Sequence, residues 1–397
     1  MKKLYDYFGR VLCALLLCAG LVFSGCTEGP LGDDQNIEQG NSGSGDTGNP
    51  GNGDNASDGN LSSNGTANCY IVSKAGTYKF KTVKGNSATS VGAASTAAVL
   101  WESFGTSITP NVGDLIKSVS YKDSYIFFQT ADTFKEGNAV IAAKDASGNI
   151  LWSWHIWLTD KPQGQVYYNN AGTMMDRNLG ATSATPGNVG ALGLLYQWGR
   201  KDPFLGSSSI TSNSIAASTI FWPSDVSSNS TRGKIEFAIE NPTTFIYSNS
   251  YNHDWYYTGS SSTDNTRWTT SEKTKSIYDP CPAGWRVPDG GSNGVWSKAL
   301  GSSSHFHCTY NSTKKGMNFS GTFGSASSIW YPASGYNVSG ASLGSVGYYG
   351  YYWSASPNNF YAYYLYFHQY GFVYPSDDDD DNSRARGLSV RCLQESK

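Results

Sequence analysis

The chain has 397 residues, a formal net charge of −3 and 15% charged side chains, beside 45 glycines, 27 tyrosines and 12 tryptophans. A mildly acidic chain with no basic stripe excludes nucleic acid as a natural partner. Its length accommodates two domains of ordinary size, and its Gly, Ser, Asn, Tyr and Trp content suits β-rich extracellular domains.

Reading from the start, Lys2, Lys3 and Arg10 precede an apolar run from Val11 to Phe23, and Ser24-Gly25-Cys26 follows. A basic segment, a short apolar run and small residues predict a signal peptide over 1–25, too short and wrongly flanked for a permanent span. Leu21 to Cys26 resembles the lipobox of bacterial lipoproteins, with Phe23 where leucine is usual. The expectation is a lipoprotein acylated on Cys26 and held at the outer membrane through that anchor. Residues 26–66 are mainly Gly, Asn, Ser and Asp, with only scattered aliphatic side chains. Such a segment buries too little surface to offset its conformational entropy and predicts a flexible tether with a reach of roughly 35 Å. Glu28, Asp33 and Asp34 resemble acidic surface-export signals, which implies exposure on the cell surface.

From Ala67 to Asp160 the texture is that of short strands. Tyr78 and Phe80 alternate with Lys79 and Lys81, and aromatic Tyr125–Phe128 follows a polar turn. After the turn at Asp145-Ala146-Ser147-Gly148, the residues Ile150, Trp152, Trp154, Ile156 and Leu158 fall on one face of a period-two strand. This pattern predicts a β-sandwich over 67–160, with a linker at Lys161-Pro162-Gln163-Gly164. The second region, 165–393, is mixed. Leu192, Leu195, Tyr196 and Gly199 have helical spacing, as do Trp296 and Leu300 after the break at Pro288-Asp289-Gly290-Gly291. Tyr348 to Tyr374 holds 14 aromatic residues in 27, and Tyr361 to Phe367 reads as a strand buried on both faces.

Motifs in this second region resemble the Fibrobacter succinogenes major paralogous domain. They include Met175-Asp176-Arg177-Asn178-Leu179-Gly180, Tyr196-Gln197-Trp198-Gly199-Arg200-Lys201-Asp202-Pro203-Phe204 and Asp279-Pro280-Cys281-Pro282-Ala283-Gly284-Trp285-Arg286-Val287-Pro288. Tyr352-Trp353-Ser354-Ala355-Ser356 and Gly387-Leu388-Ser389-Val390-Arg391-Cys392 complete the set. The segment from Ala67 is similar to a β-sandwich that precedes this domain in Bacteroidales lipoproteins. The resemblance implies an all-β sandwich followed by an α+β, C-type-lectin-like domain related to the formylglycine-generating group. It pairs Cys281 with Cys392, leaves Cys69 and Cys308 unpaired, and makes Trp198, Trp285, Trp353, Arg286 and Arg391 core and scaffold residues.

No catalytic constellation stands out: the five histidines are scattered, no serine lies in a nucleophile elbow, and a shared fold does not transfer activity. The expectation is no enzyme and no obligatory cofactor. His305 and His307 share one side of a strand with Cys308 on the other, two ligands without a third; an exposed polar strand edge fits better. The acidic run Asp377, Asp378, Asp379, Asp380 and Asp381 offers oxygen ligands for Ca²⁺, against the simpler reading of a solvated loop. His253-Asp254-Trp255-Tyr256-Tyr257 and Trp330-Tyr331 lie in Gly/Ser-rich loops where rings can form a sugar-stacking platform; the plainer alternative is that they cap the core. Together these features predict a non-enzymatic surface binding or adhesion protein. Its candidate partners are a host or dietary glycan or a surface protein. A structural or appendage-associated envelope protein is the first alternative, and an enzyme of the formylglycine-generating type the second.

Overall fold

A computed structural model describes residues 59–248, 253–259, 263–270, 274–301, 308–340, 342–377 and 383–396. Cys26, the residue expected to be acylated, the pair His305 and His307, and Asp378 to Asp381 lie outside the described residues. No described helix is long and apolar enough to cross a membrane.

The first seven strands are β1 (Cys69–Val72), β2 (Thr77–Lys81), β3 (Thr96–Ser103), β4 (Ile116–Lys122), β5 (Tyr125–Thr130), β6 (Gly137–Lys144) and β7 (Ile150–Leu158). They form a four-stranded sheet in the order β1-β7-β6-β3 and a three-stranded sheet in the order β2-β5-β4. One apolar core lies between the two sheets. Tyr78, Phe80, Ile126 and Phe128 enter it from the smaller sheet, and Ile141, Trp152, Trp154, Ile156 and Leu158 from the larger. The period-two reading of β7 therefore names the residues of its inner face. The opposite face of β7 carries Ser153, His155 and Trp157, and these are buried as well. Trp157 belongs to a core shared with Leu179, Trp198 and Trp353 of the second region.

That second region adds sixteen short strands and two six-residue helices among the described residues. β8 (Gly164–Tyr167), β9 (Gly172–Met175), β10 (Leu195–Gln197), β11 (Val226–Ser227) and β12 (Ile246–Tyr247) come first, with helix α1 (Ile235–Glu240) between the last two. β13 (Trp285–Arg286) and α2 (Val295–Leu300) follow, then β14 (Thr309–Asn311), β15 (Gly316–Asn318), β16 (Trp330–Pro332), β17 (Tyr336–Ser339) and β18 (Ser342–Gly344). β19 (Tyr349–Asn358), β20 (Tyr361–His368), β21 (Val373–Asp377), β22 (Gly387–Ser389) and β23 (Leu393–Gln394) close the chain. The largest sheet runs β18-β17-β22-β19-β20-β21, with β10 also on β22. β13-β23-β9-β8 and β14-β15-β16 form two smaller sheets.

The helix expected at Trp296 and Leu300 is α2, whose Val295, Trp296, Ala299 and Leu300 are buried. The helix expected at Leu192 to Gly199 is absent. A single 3-10 turn at Val189–Ala191 ends at Gly193, whose φ of +71° no right-handed helix can contain. Leu195, Tyr196 and Gln197 then pair with Ser389, Leu388 and Gly387. Cys281 and Cys392 form a disulfide across 111 residues, and Cys69 and Cys308 are free thiols.

The two regions are stitched together by buried polar contacts rather than joined only at 161–164. Asn68 Nδ2 donates to the carbonyls of Ile277 and Asp279, each at 2.8 Å, and Asn138 Nδ2 to that of Gly180 at 2.9 Å. Trp157 Nε1 donates to the Ala181 carbonyl at 3.0 Å. Ser153 Oγ donates to Asp202 Oδ1 at 2.5 Å and accepts from Lys201 Nζ at 2.6 Å. By packing, residues 50–397 form one compact unit.

Candidate functional site: an aromatic sheet face and hairpin tip

Alternation in β19 and β20 sends the aromatic side chains of 348–374 to two different places. Tyr352, Leu365 and Phe367 point to one face, where they pack with Trp296, Phe319 and Tyr331 in a closed core. The other face carries Tyr349, Tyr351 and Trp353 from β19 opposite His368, Tyr366 and Tyr364 from β20. Tyr374 of β21 pairs with Tyr366 and extends this face to the sheet edge.

Rings on this face touch in an unbroken series. Trp353 meets Tyr364 edge-on at 5.9 Å, and Tyr364 lies 6.1 Å from Tyr351. Tyr351, Tyr366 and Tyr374 stack across three strands at centroid spacings of 5.0 and 5.6 Å, with planes within 22° of parallel. Such cross-strand pairs each add of order 0.5–1.5 kcal/mol beyond area burial and make the face rigid. Tyr349 bridges Tyr366 and His368, and the His368 ring lies 4.7 Å from Phe372 and 5.4 Å from Tyr370.

Exposure grades along this series. Trp353 and Tyr364 are buried, Tyr349, Tyr366 and His368 are half-buried, and Tyr374, Phe372 and Tyr370 are 46%, 57% and 72% exposed. Tyr348, also exposed, borders the same end, where its carbonyl accepts from the Gln369 amide at 2.9 Å. The turn linking β20 to β21 is tight. The Gly371 amide donates to the His368 carbonyl with φ at +86°, a conformation that favours glycine and lets the flanking Tyr370 and Phe372 project outward. The Tyr370 amide donates to His368 Nδ1 at 3.0 Å and fixes the imidazole between the two rings.

The electrostatic character of the face is neutral. From Tyr348 to Tyr374 there is no Asp, Glu, Lys or Arg. Burial, reinforced by Tyr366 and other neighbouring phenols, pushes the Tyr351 hydroxyl well above its ordinary range, so it stays protonated. Cations flank the face rather than enter it: Lys315 Nζ is 5.7 Å from the Tyr348 ring and the Arg386 guanidinium 5.0 Å from that of Tyr336. Rings anchored at one end in the core and bare at the other suit contact with a partner, because little further ordering is needed on binding.

The loop aromatics expected to form a platform are elsewhere. Trp255 is buried, its Nε1 donating to the Trp198 carbonyl at 2.7 Å, with the Arg267 guanidinium 5.0 Å from its ring. Asp254 beside it is buried and bound through both carboxylate oxygens to Arg267. Tyr256 and Tyr257 are half-buried. Trp330 and Tyr331 are buried, and the Tyr331 hydroxyl bonds that of Tyr167 at 2.7 Å and accepts from Trp296 Nε1 at 3.1 Å. The platform expectation is thus corrected for Trp255, Trp330 and Tyr331. Trp255 Nε1 and the Tyr331 hydroxyl are bonded internally, and Trp330 is packed inside with its Nε1 buried and no partner for it among the described residues, which composition alone does not reveal.

Other polar clusters are closed. Lys201 Nζ bonds Asp202 Oδ1 at 2.7 Å and the Ser153 carbonyl at 3.0 Å, with burial pushing the ammonium down and Asp202 opposing it. Arg391 donates to Asn178 Oδ1 and the Trp330 carbonyl, and Arg286 to Asp289 and the Val287 carbonyl. Among the described residues, no group of three or more His, Cys, Asp or Glu is placed to hold a metal ion. Asp377 ends β21, beyond Pro375. A recess of about 10 Å³, lined by Gly105, Gly180, Gly190, Gly193 and Gly206, opens between the two regions. It is below the usual size of a ligand pocket, and Asn138 and Ser207 in its wall are bonded internally.

The structure is thus that of a β-rich protein of several sheets that presents an aromatic edge. The chain matches no family model, no curated protein and no solved structure.

Proposed function

We propose that the chain is a non-enzymatic binding or adhesion protein, held at the outer membrane by an acyl group on Cys26 and facing outward. Its contact surface is the open end of the aromatic face: Tyr348, Tyr370, Phe372 and Tyr374. One observation carries the reading. Ring contacts run without a gap from buried Trp353 to exposed Tyr370, so the exposed rings are held rigidly where solvation alone favours polar side chains. In this reading residues 165–393 are a C-type-lectin-like module of the major paralogous kind. The Cys281–Cys392 bridge and the buried Trp198 and Trp353, all implied by that resemblance, support it.

Attachment of cells carrying the full-length chain to mucin and to immobilised matrix protein tests this. Replacing Tyr370, Phe372 and Tyr374 together by Ala is expected to abolish attachment while surface display persists. Unchanged attachment would refute the assignment of the contact surface. Labelled palmitate is expected in the native chain and not in Cys26→Ser.

A further inference from the structure

We infer that the occupant of this face is an uncharged oligosaccharide, gripped by Tyr370, Phe372 and Tyr374 through ring stacking and without a bridging cation. The inference rests on the aromatic face being the contact surface, and it names what that surface holds. Phe372 and Tyr374 flank Val373, whose side chain is buried in the opposite core, so the two rings emerge on the same side. With Tyr370, carried on the turn before β21 and in contact with the same His368 ring as Phe372, they form a cluster of three exposed rings at the hairpin end. Three rings, each able to stack on one sugar face, suit a short oligosaccharide rather than a single sugar. Tyr366 covers one face of Tyr374 at 5.6 Å, and among the described residues β21 is the outermost strand of its sheet, with no strand paired on its other side.

Chemistry chooses among partners. A polyanionic glycan meets Asp377 three residues past Tyr374 and finds no cation stacked on the three tip rings among the described residues. A peptide adding a strand to β21 meets Pro375, which has no N–H to donate and interrupts the open edge. A protein hot spot is ordinarily seated in a desolvated pocket, whereas these rings lie exposed at a hairpin turn. An uncharged sugar needs what is present. Its C–H faces stack on rings, and its hydroxyls can bond to tyrosine hydroxyls and the side-chain amide of Gln369 without any ion being stripped of water.

The test is calorimetric titration of the full-length chain with a neutral β-glucan oligosaccharide and a neutral mannan oligosaccharide. Heparin and polylysine serve as charged comparators, each with and without chelator. Binding to a neutral saccharide, unaffected by chelator, is expected to weaken two- to tenfold for each of Tyr370→Ala, Phe372→Ala and Tyr374→Ala. Circular dichroism confirms the fold, which these exposed substitutions leave intact. Preference for heparin or polylysine, loss with chelator, or neutral binding that survives the triple variant overturns the inference. If neither neutral saccharide binds but cell attachment still depends on the three rings, the sugar is wrong and the contact surface stands. If attachment is also indifferent to the rings, both fail.

Discussion

His155 provides a test of the packing between the two regions, because its charge is forbidden by that packing. The imidazole is buried on the face of β7 that meets residues 165–393, with Nε2 donating to Asn138 Oδ1 at 2.8 Å and no partner for Nδ1 among the described residues. Burial alone pushes its pKa down from 6.5 to about 3. A depressed folded-state pKa means that the unfolded chain takes up the proton first. Stability is therefore full above pH 6.5 and is lost as pH falls toward 3. Between pH 7 and pH 4 the loss integrates to about 3 kcal/mol at 1.36 kcal/mol per pKa unit. Asp279 works in the opposite direction: burial raises it to about 6, so acidification through pH 6 favours its folded form. The native curve alone cannot separate the two, but the difference between the native chain and His155→Gln can. Gln places its amide nitrogen near the Nε2 position and does not titrate. Urea unfolding at half-unit pH steps is expected to show the variant gaining about 3 kcal/mol relative to the native chain between pH 7 and pH 4. Parallel curves within about 1 kcal/mol over that range would mean that water reaches the imidazole and that the seam is not closed.

Three further perturbations follow from buried partners. Replacing both Cys281 and Cys392 with Ala frees a 111-residue loop, and denaturant unfolding is expected to show a loss of about 4–5 kcal/mol in the loop-entropy account. Asp254→Ala strands Arg267, and with it Arg384 at 3.5 Å, inside the protein; a loss of about 3–5 kcal/mol by thermal or urea unfolding is expected, against a smaller one for Asp254→Asn. Glu102→Ala removes the acceptor for the amides of Gly113, Leu115 and Ile116, the first two at 2.8 and 3.0 Å, and is expected to cost at least about 3 kcal/mol while raising amide exchange across 111–116.

Legibility in the sequence followed periodicity. Strand β7 was readable because Trp152, Trp154, Ile156 and Leu158 alternate with different residues, and α2 because Trp296 and Leu300 repeat at helical spacing after a Pro-Gly break. The reading of Leu192 to Gly199 failed because helical spacing over so short a window cannot register a positive φ at Gly193 or the pairing with β22. Ring placement was the harder problem. Trp255 and Tyr331 sit among polar loop residues yet are buried, because partners such as Trp198 and Tyr167 are distant in sequence and close only in the fold. Conversely, Tyr361 to Phe367 reads as covered on both faces, while the structure grades one face from buried Tyr364 to half-buried Tyr366 and then to the bare tip. The available signal was Tyr370-Gly371-Phe372: large rings on either side of a turn glycine, where polar residues are the rule.

The double burial of the β1-β7-β6-β3 sheet has a consequence for how this chain holds its aromatic tip. An isolated sandwich needs only one apolar face per sheet, but here Trp101, Val140 and Trp157 on the outer face join a core with Trp198, Trp353 and Tyr364. Tyr364 and Trp353 are the same rings that anchor the aromatic series ending at Tyr370. Residues 67–160 therefore act as a wall behind the aromatic face. Cutting the chain at 161–164 would expose Trp157 and Trp101 on one side and Trp198 on the other, and would strand Lys201 and Asp202 without Ser153. Calorimetry is expected to show residues 59–397 melting in a single transition, with neither half soluble alone. Two separable transitions would mean that the wall is dispensable and that the rigidity of the tip is local to the β19–β20–β21 sheet.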